Sequence, residues 1–250
     1  MRIVRVNHQN DVFYGILEGE TVARLRGTPY AELIKDGRVY PLSDVRLLAP
    51  VEPTKIVCVG KNYKAHADEM HEGQPEEPLL FLKPNTCVVG NGDGVVYPSL
   101  SKRVDYEAEL GVVIGKMAHG VRPGHAKEYI FGYTCLNDVT ARDLQKSDGQ
   151  WTRGKSFDTF CPIGPWVETE LDAGNVRIRS VLNGEVRQNS TTARMTHDID
   201  KLICYMSACM TLLPGDVVAT GTPEGIGPMQ RGDVIAVEIE GIGTLKNTIV

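Results

Sequence analysis

Several things are missing from this chain, and each absence removes a class of protein. No apolar run reaches the roughly 18 residues that a membrane-spanning helix takes. The opening MRIVRVNHQNDVFYG breaks into charges before a signal-peptide core can form. Positive charge is not in surplus, since 27 Lys and Arg stand against 32 Asp and Glu for a net −5. A protein that tracks a phosphate backbone would show a basic stripe, whereas a few local cations suffice for a small anion. The six cysteines, at 58, 87, 135, 161, 204 and 209, include no CxxC pair. Flanks such as KIVCVG and YTCLND are those of buried, reduced thiols rather than of disulfides or a zinc site. The expectation is a cytoplasmic protein with neither nucleic-acid nor membrane partners.

What is present reads as a strand-rich globular chain. Hydrophobic residues make up 42% and charged residues 24% of the 250, close to the average for a packed domain. Residues 1–48 carry short apolar runs at 3–6, 12–17 and 21–25 between polar turns, the pattern of hairpins. The prolines of LLAPVEPTK, 47–55, mark a boundary, so a small N-terminal β-rich domain over 1–48 precedes a larger domain over 49–250. In the larger domain strands are expected over 55–59, 79–83, 106–114, 130–137, 177–182, 185–189, 217–220, 233–239 and 243–249, with Asn183-Gly184 turning a hairpin. A helix is expected over 198–212, capped by Asp198 and ended by Pro214-Gly215. Helices do not alternate regularly with strands, which favours an α+β fold of mixed or antiparallel sheets over a doubly wound one.

The most informative stretch is VDYEAELGVVIGK, 104–116. Read as a strand, it points Tyr106, Ala108, Leu110, Val112 and Ile114 to one face and Glu107 and Glu109 to the other. Those two Cα atoms lie roughly 6.5–7 Å apart at strand rise. Gly111 and Val113 continue the acidic face and look interior, so two like charges would be buried there at high cost without a cation. Asp138, ending the apolar run of YTCLND, is placed to add a third carboxylate or, equally, to cap the helix that follows. Acting together, the three would select Mg²⁺, Mn²⁺ or Ca²⁺ over Zn²⁺, because every ligand is a hard oxygen. Such a site keeps positions open for water and a chelating substrate.

In GKNYKAHADEMHEG, 60–73, His66 and Glu69 share a helical face, and a carboxylate beside an imidazole is the equipment of a general base. His71 with Asp68 has the same spacing, and a solvated polar helix is the alternative. Cations follow. Lys83 ends LLFLK before a proline, Arg142 and Gln145 lie three apart in TARDLQ, and Lys155 falls in WTRGKSFDTFCPIGPW, read as an irregular loop over 151–166. Arginine binds carboxylates in bidentate fashion and lysine acts as a point charge. The loop ATGTPEGIGP, 219–228, offers backbone N–H groups and the Thr222 hydroxyl to a carboxylate. It lacks GxxxxGK[ST], so no nucleotide phosphate is expected. Singly, each of these cations is more often a surface residue, and the loop on its own is more often a connecting turn.

Taken in order, GKNYKAHADEM, FLKP, VDYEAELGVVIGK, LNDVTARDLQ, RGKSFDTFCPIGPW, LNGEVRQ and TGTPEGIG resemble the fumarylacetoacetate hydrolase family over about residues 50–250. The resemblance implies a β-rich roll of mixed sheets with short flanking helices, commonly homodimeric, acting on a small anionic 2-oxo acid. By the same resemblance Glu107, Glu109 and Asp138 match metal ligands for Mg²⁺ or Mn²⁺, sometimes Ca²⁺. His66 and Glu69 match a water-activating pair on a segment that closes over substrate, and Lys155 a lysine beside the metal. Arg142, Gln145 and Thr222 match substrate-binding positions. Lys61 stands where several relatives carry arginine, which implies a looser carboxylate contact. The activity implied is cleavage of a carbon–carbon bond in a 2,4-dioxo acid, with isomerisation, tautomerisation or decarboxylation of related dioic acids as alternatives. A metal-stabilised binding protein without catalysis is a remoter one.

Overall fold

A computed structural model describes residues 1–71 and 73–250. The fold is α+β and dominated by strands. Its main sheet has twelve strands and runs in spatial order through Lys35–Pro41, Thr21–Leu25, Asp11–Glu18, Arg2–His8, Cys161–Glu168, Ile130–Asn137, Ala108–Ile114, Val217–Ala219, Ile56–Gly60 and Leu79–Lys83, with Arg46–Leu47 and Val88–Val89 attached to the side. The N-terminal meander joins the rest edge to edge, because Arg2 and Ile3 pair antiparallel with Glu168 and Val167. A five-stranded sheet (Glu185–Thr191, Arg177–Leu182, Val234–Ile239, Gly243–Ile249, Gly94–Val95) and a three-stranded one (Thr140–Ala141, Val104–Tyr106, Gly227–Met229) complete the architecture.

Strand alternation explains the layering. Ala108, Leu110, Val112 and Ile114 pack on Ile178, Val237, Ile239 and Leu245 of the five-stranded sheet, together with Leu202, Ile203 and Met206. The last three lie on the helix Ile199–Cys209, where the Asp198 side chain accepts the Lys201 N–H as cap. Val113 belongs to the opposite core, with Ile56, Cys58, Val217 and Ala219. The central strands are thus buried on both faces. Polar side chains set into them cannot reach bulk water and must find partners inside.

Three helices flank the site: α1 (Lys64–Glu69), α2 (Arg142–Asp148) and α3 (Thr152–Lys155), with Ile199–Cys209 as α4. Among the described residues no helix is long and apolar enough to cross a membrane.

The sequence reading is corrected at three places. The stretch 106–114 is not one strand, since Val104–Tyr106 and Ala108–Ile114 belong to different sheets. At the break, side chains replace the ladder: Glu107 N–H donates to Asn137 Oδ1 (2.9 Å) and Ala108 N–H to Gln188 Oε1 (3.0 Å). The segment 151–166 is not an irregular loop either, because it contains α3 and enters the strand Cys161–Glu168. That strand sits mid-sheet despite Pro162 and Pro165, whose missing N–H groups normally confine proline to edges; its pairing with Ile130–Asn137 is irregular between Tyr133 and Cys135. Finally, α4 stops at Cys209, short of the expected 212, and Leu212 instead bridges to Ala118.

Candidate active site

The break at Glu107 builds the site. Ala108 pairs with Asn137 across the antiparallel ladder, so Glu107 and Glu109 flank the point where Asp138 leaves the neighbouring strand. Asp138 N–H donates to the Glu107 carbonyl at 2.9 Å and locks the junction. Ligand oxygens of Glu107, Glu109 and Asp138 all lie within 4.8 Å of one another, and all three residues are buried.

Buried carboxylates this close need counter-charge, and most of it comes from the chain. Lys155 Nζ donates to Glu107 Oε2 and Asp138 Oδ2, both at 2.7 Å. Lys83 Nζ, fully buried, donates to Asp138 Oδ1 at 2.6 Å. Arg142 donates through Nη2 to Glu107, through Nε to Asp105 Oδ2 (2.9 Å) and through Nη1 to Gln145 Oε1 (2.5 Å). Burial pushes the Glu107 carboxyl up, but Lys155 and Arg142 outweigh it and hold it below the usual carboxylate range. Glu109 fares differently. Its carboxylate accepts the Gly221 N–H at 2.8 Å, and burial, then Asp138 and Glu107, push it well above the usual range. A hard dication is what this oxygen-only cluster fits, for among the described residues Glu109, unlike Glu107 and Asp138, pairs with no lysine or arginine.

The second component is the helix α1. His66 Nδ1 sits 3.2 Å from Glu69 Oε2. The Gly225 N–H reaches both Glu69 oxygens, at 3.1 and 3.2 Å, so the glycine loop fixes the carboxylate that orients the imidazole. His66 is buried and lines one cavity of about 480 Å³ with Glu107, Glu109, Asp138, Lys155, Arg142, Gln145, Thr222 and Lys61. Of the residues singled out from the sequence, Glu69, Asp68 and Lys83 stand outside that lining, Glu69 in contact with His66 and Lys83 with Asp138.

Two expected substrate contacts look different at atomic detail. Each nitrogen of the Arg142 guanidinium is held by a protein oxygen, so its first task is to tie Glu107 to Asp105 and Gln145. The Thr222 hydroxyl donates to the Ala108 carbonyl (2.9 Å) and accepts from Gln188 Nε2 (2.7 Å), so it staples the glycine loop to the residue between the two glutamates. Two supporting residues were missed. Asp105 is fully buried between Arg103 and Arg142, and its signal was visible as a third acid two residues before Glu107. Gln188 spans Ala108, Thr222 and Pro223 from a hairpin strand, and no local pattern announces it.

The strand-built cavity thus brings a buried three-carboxylate cluster able to hold a metal ion together with a carboxylate-oriented histidine. The chain belongs to the fumarylacetoacetate hydrolase family: residues 55–250 match its fumarylacetoacetate (FAA) hydrolase C-terminal domain, and residues 1–50 match the Rv2993c-like N-terminal family. Among solved structures, the chain resembles a 5-carboxymethyl-2-hydroxymuconate delta-isomerase from Mycobacterium smegmatis, with TM-score 0.95 and 46% identity over 100% of this chain and 99% of that one. It also resembles a maleylpyruvate hydrolase from Sphingobium sp. SYK-6 in complex with manganese(II) and pyruvate, with TM-score 0.83 and 31% identity over 100% and 99%. The mitochondrial oxaloacetate tautomerase FAHD2A of Bos taurus is 41% identical over 225 residues, 85% of this chain and 72% of that protein.

Proposed function

We propose that the protein is a divalent-metal-dependent hydrolase that cleaves a carbon–carbon bond in acylpyruvate-type 2,4-dioxo acids. The observation that carries this reading is His66, oriented by Glu69 and opening onto the same cavity as the carboxylate cluster and its lysine. Glu107, Glu109 and Asp138 would hold Mg²⁺ or Mn²⁺, with Ca²⁺ a further candidate; the manganese of the maleylpyruvate hydrolase relative supports this choice. Once bound, the ion would supply Lewis acidity toward the 2-oxo acid's oxygens.

The chain's own residues carry the proton chemistry. Glu69 engages Nδ1 of His66, which leaves Nε2 to take a proton from water. The resulting hydroxide adds to the distal carbonyl, and the bond from that carbon to C3 breaks. One fragment leaves as a carboxylic acid and the other as the enolate of a 2-oxo acid, to which His66 returns the proton at C3. Lys155 lies beside the cluster to offset the developing enolate charge. Lys61, Gln145 and the backbone at Thr222 border the space for the substrate's carboxylate, while Arg142 acts by holding Glu107.

The names of two relatives support a second reading. The isomerase and the tautomerase are both more identical to this chain than the maleylpyruvate hydrolase is. In that reading the same base moves a proton between carbon and oxygen of a 2-oxo or 2-hydroxydienoic dioic acid, and no bond is cut; loss of CO₂ would generate the same enolate. Chelator-stripped protein incubated with acetylpyruvate and oxaloacetate, with and without Mg²⁺ or Mn²⁺, separates the outcomes. Metal-dependent acetate release is expected. A change confined to the enol–keto balance, or release of CO₂, would replace the hydrolase reading. His66→Ala should lose turnover and keep Mn²⁺ binding, and an active variant would remove His66 from the base role.

A further inference from the structure

The glycine loop that follows Val217–Ala219 touches both halves of the site. Near its start the Gly221 N–H donates to Glu109 of the carboxylate cluster at 2.8 Å. Further on, the Gly225 N–H donates to both oxygens of Glu69, the carboxylate that orients His66. The loop therefore sets where the base stands relative to the cluster. Thr222 and Gln188 anchor its cluster end. Its other end is held by Tyr106, whose hydroxyl donates to the Gly225 carbonyl at 3.0 Å.

The base end needs such an anchor. Glu69 is the last residue of the six-residue helix α1, and its side chain is 35% exposed. Among the described residues its carboxylate meets only His66 Nδ1 and the Gly225 N–H. A glutamate so open to water samples several rotamers unless something holds it. Gly225 has no freedom of its own to spare: its φ is +94°, and a Cβ there would lie 2.4 Å from the Arg187 carbonyl oxygen. Tyr106 is buried, and its backbone pairs with Gly227, where a Cβ would come within 2.9 Å of the phenol oxygen. The loop's glycines thus make room for the tyrosine. Tyr106 also directly precedes Glu107, so adjacent residues of one chain segment serve the base and the carboxylate cluster.

We propose that Tyr106 is a positioning residue for the base. By holding the Gly225 carbonyl it aims the Gly225 N–H at Glu69, and through Glu69 it fixes the tautomer of His66 and the direction of its Nε2. This rests on the reading of His66 as the base. It adds a residue that substrate contacts would not reveal, because Tyr106 does not line the cavity. Second partners of this kind lock an imidazole in one orientation, and the rate depends on that lock as well as on basicity.

Tyr106→Phe removes the hydroxyl and keeps the ring. With Mn²⁺ present, kcat should fall about tenfold, while KM and the Mn²⁺ Kd stay within about twofold of wild type. The deciding comparison repeats the substitution in Glu69→Ala, where the route from Tyr106 to His66 is already cut. There it should change kcat by less than about twofold. An equal fall in both backgrounds would overturn the proposal, because Tyr106 would then act by another route, and so would an unchanged kcat. A second readout needs no turnover: nitrogen-15 spectra of histidine-labelled, Mg²⁺-loaded protein, taken above the imidazole's titration range. Wild-type His66 should carry its proton on Nδ1, and Tyr106→Phe should raise the share protonated on Nε2. Gly225→Ala breaks the same link from the backbone side and should shift His66 in the same direction; it carries the test if Tyr106→Phe does not fold. If the wild type turns over neither acetylpyruvate nor oxaloacetate, the catalytic reading fails, yet the tautomer shift would still support the positioning role. An unchanged His66 spectrum in folded Tyr106→Phe would refute it.

Discussion

Gly154→Ala tests whether the packing of α2 on α3 sets the position of Lys155. A Cβ at residue 154 would lie 2.8 Å from the backbone N of Gln145 and 2.9 Å from both its Cα and its Cβ. Ordinary contact begins at 3.4 Å. The two helices must therefore part by about half an ångström, and backbone atoms offer no rotamer change as relief. Overpacking of this kind costs about 1–3 kcal/mol, at about 2–4 °C of Tm per kcal/mol in a domain of this size. The next residue is Lys155, whose Nζ bridges Glu107 and Asp138 at 2.7 Å. A misplacement of about 1 Å at a reacting centre costs on the order of a hundredfold, so half of that predicts a fall in kcat of about tenfold. Thermal unfolding, Mn²⁺ titration by paramagnetic resonance and turnover of the best substrate give the three readouts. The expected variant is folded, binds Mn²⁺ within a few-fold of wild type and turns over about tenfold more slowly. Wild-type Tm together with wild-type turnover would show that this contact does not position the lysine.

Arg142→Met should destabilise the protein by about 3–5 kcal/mol in urea titration, because it removes one of the two cations paired with each of the buried carboxylates Asp105 and Glu107. Wild-type stability with only weakened substrate binding would return Arg142 to a ligand-contact role. Burial, and then Glu52, push the Tyr14 phenol up to about 12 from 10.0 in the open chain. The folded state thus resists ionisation that the unfolded chain accepts. Stability is unaffected below pH 10 and is lost between 10 and 12, by up to about 1.4 kcal/mol per pH unit. Tyr14→Phe should remove that alkaline loss, and identical stability differences between pH 9 and 11 in both proteins would refute the assignment. Mn²⁺ at about a hundred times its Kd should stabilise the wild type by about 2.7 kcal/mol. Chelation should reverse the gain, and Glu109→Gln should not show it.

The parts of the fold legible in the sequence are those where local pattern and tertiary environment agree. Val217–Ala219, Ile130–Asn137 and the Asn183-Gly184 hairpin follow from apolar runs and turn residues, and the Asp198 cap from its own chemistry. The pairing of Glu107 and Glu109 was visible as two acids on one face of an interior-looking stretch, whereas Asp138 was equally a helix cap until the family resemblance joined it to them. Illegible features were those fixed by contacts distant in sequence. Cys161–Glu168 becomes a central strand because Arg2–His8 and Ile130–Asn137 flank it, which nothing in CPIGPWVE encodes. The break at Glu107 depends on Asn137 and on Gln188, 30 and 80 residues away from the N–H groups they bind. Thr222 and Arg142 were read as ligand contacts because their residue types suit anions; what decides their roles is which partners the fold places first, Ala108 and Gln188 for one, Asp105 and Glu107 for the other.

The charge layout of the cluster leads to one further consequence. Lys155 bridges Glu107 and Asp138, two of the three carboxylates that could hold the ion, so ammonium and metal would draw on the same carboxylates. In the metal-free protein the lysine stabilises the cluster, and losing one partner of such a buried pair costs about 3–5 kcal/mol. A bound ion would compensate the same charge and would leave the ammonium available to the substrate. Lys155→Met should therefore lower the stability of the chelated protein while tightening Mn²⁺ binding, since a competing cation is gone, and turnover should be lost. Urea titration with chelator, Mn²⁺ titration and the substrate assay read the three effects separately. Weaker Mn²⁺ binding in a folded Lys155→Met variant would mean that the lysine builds the metal site rather than competing within it.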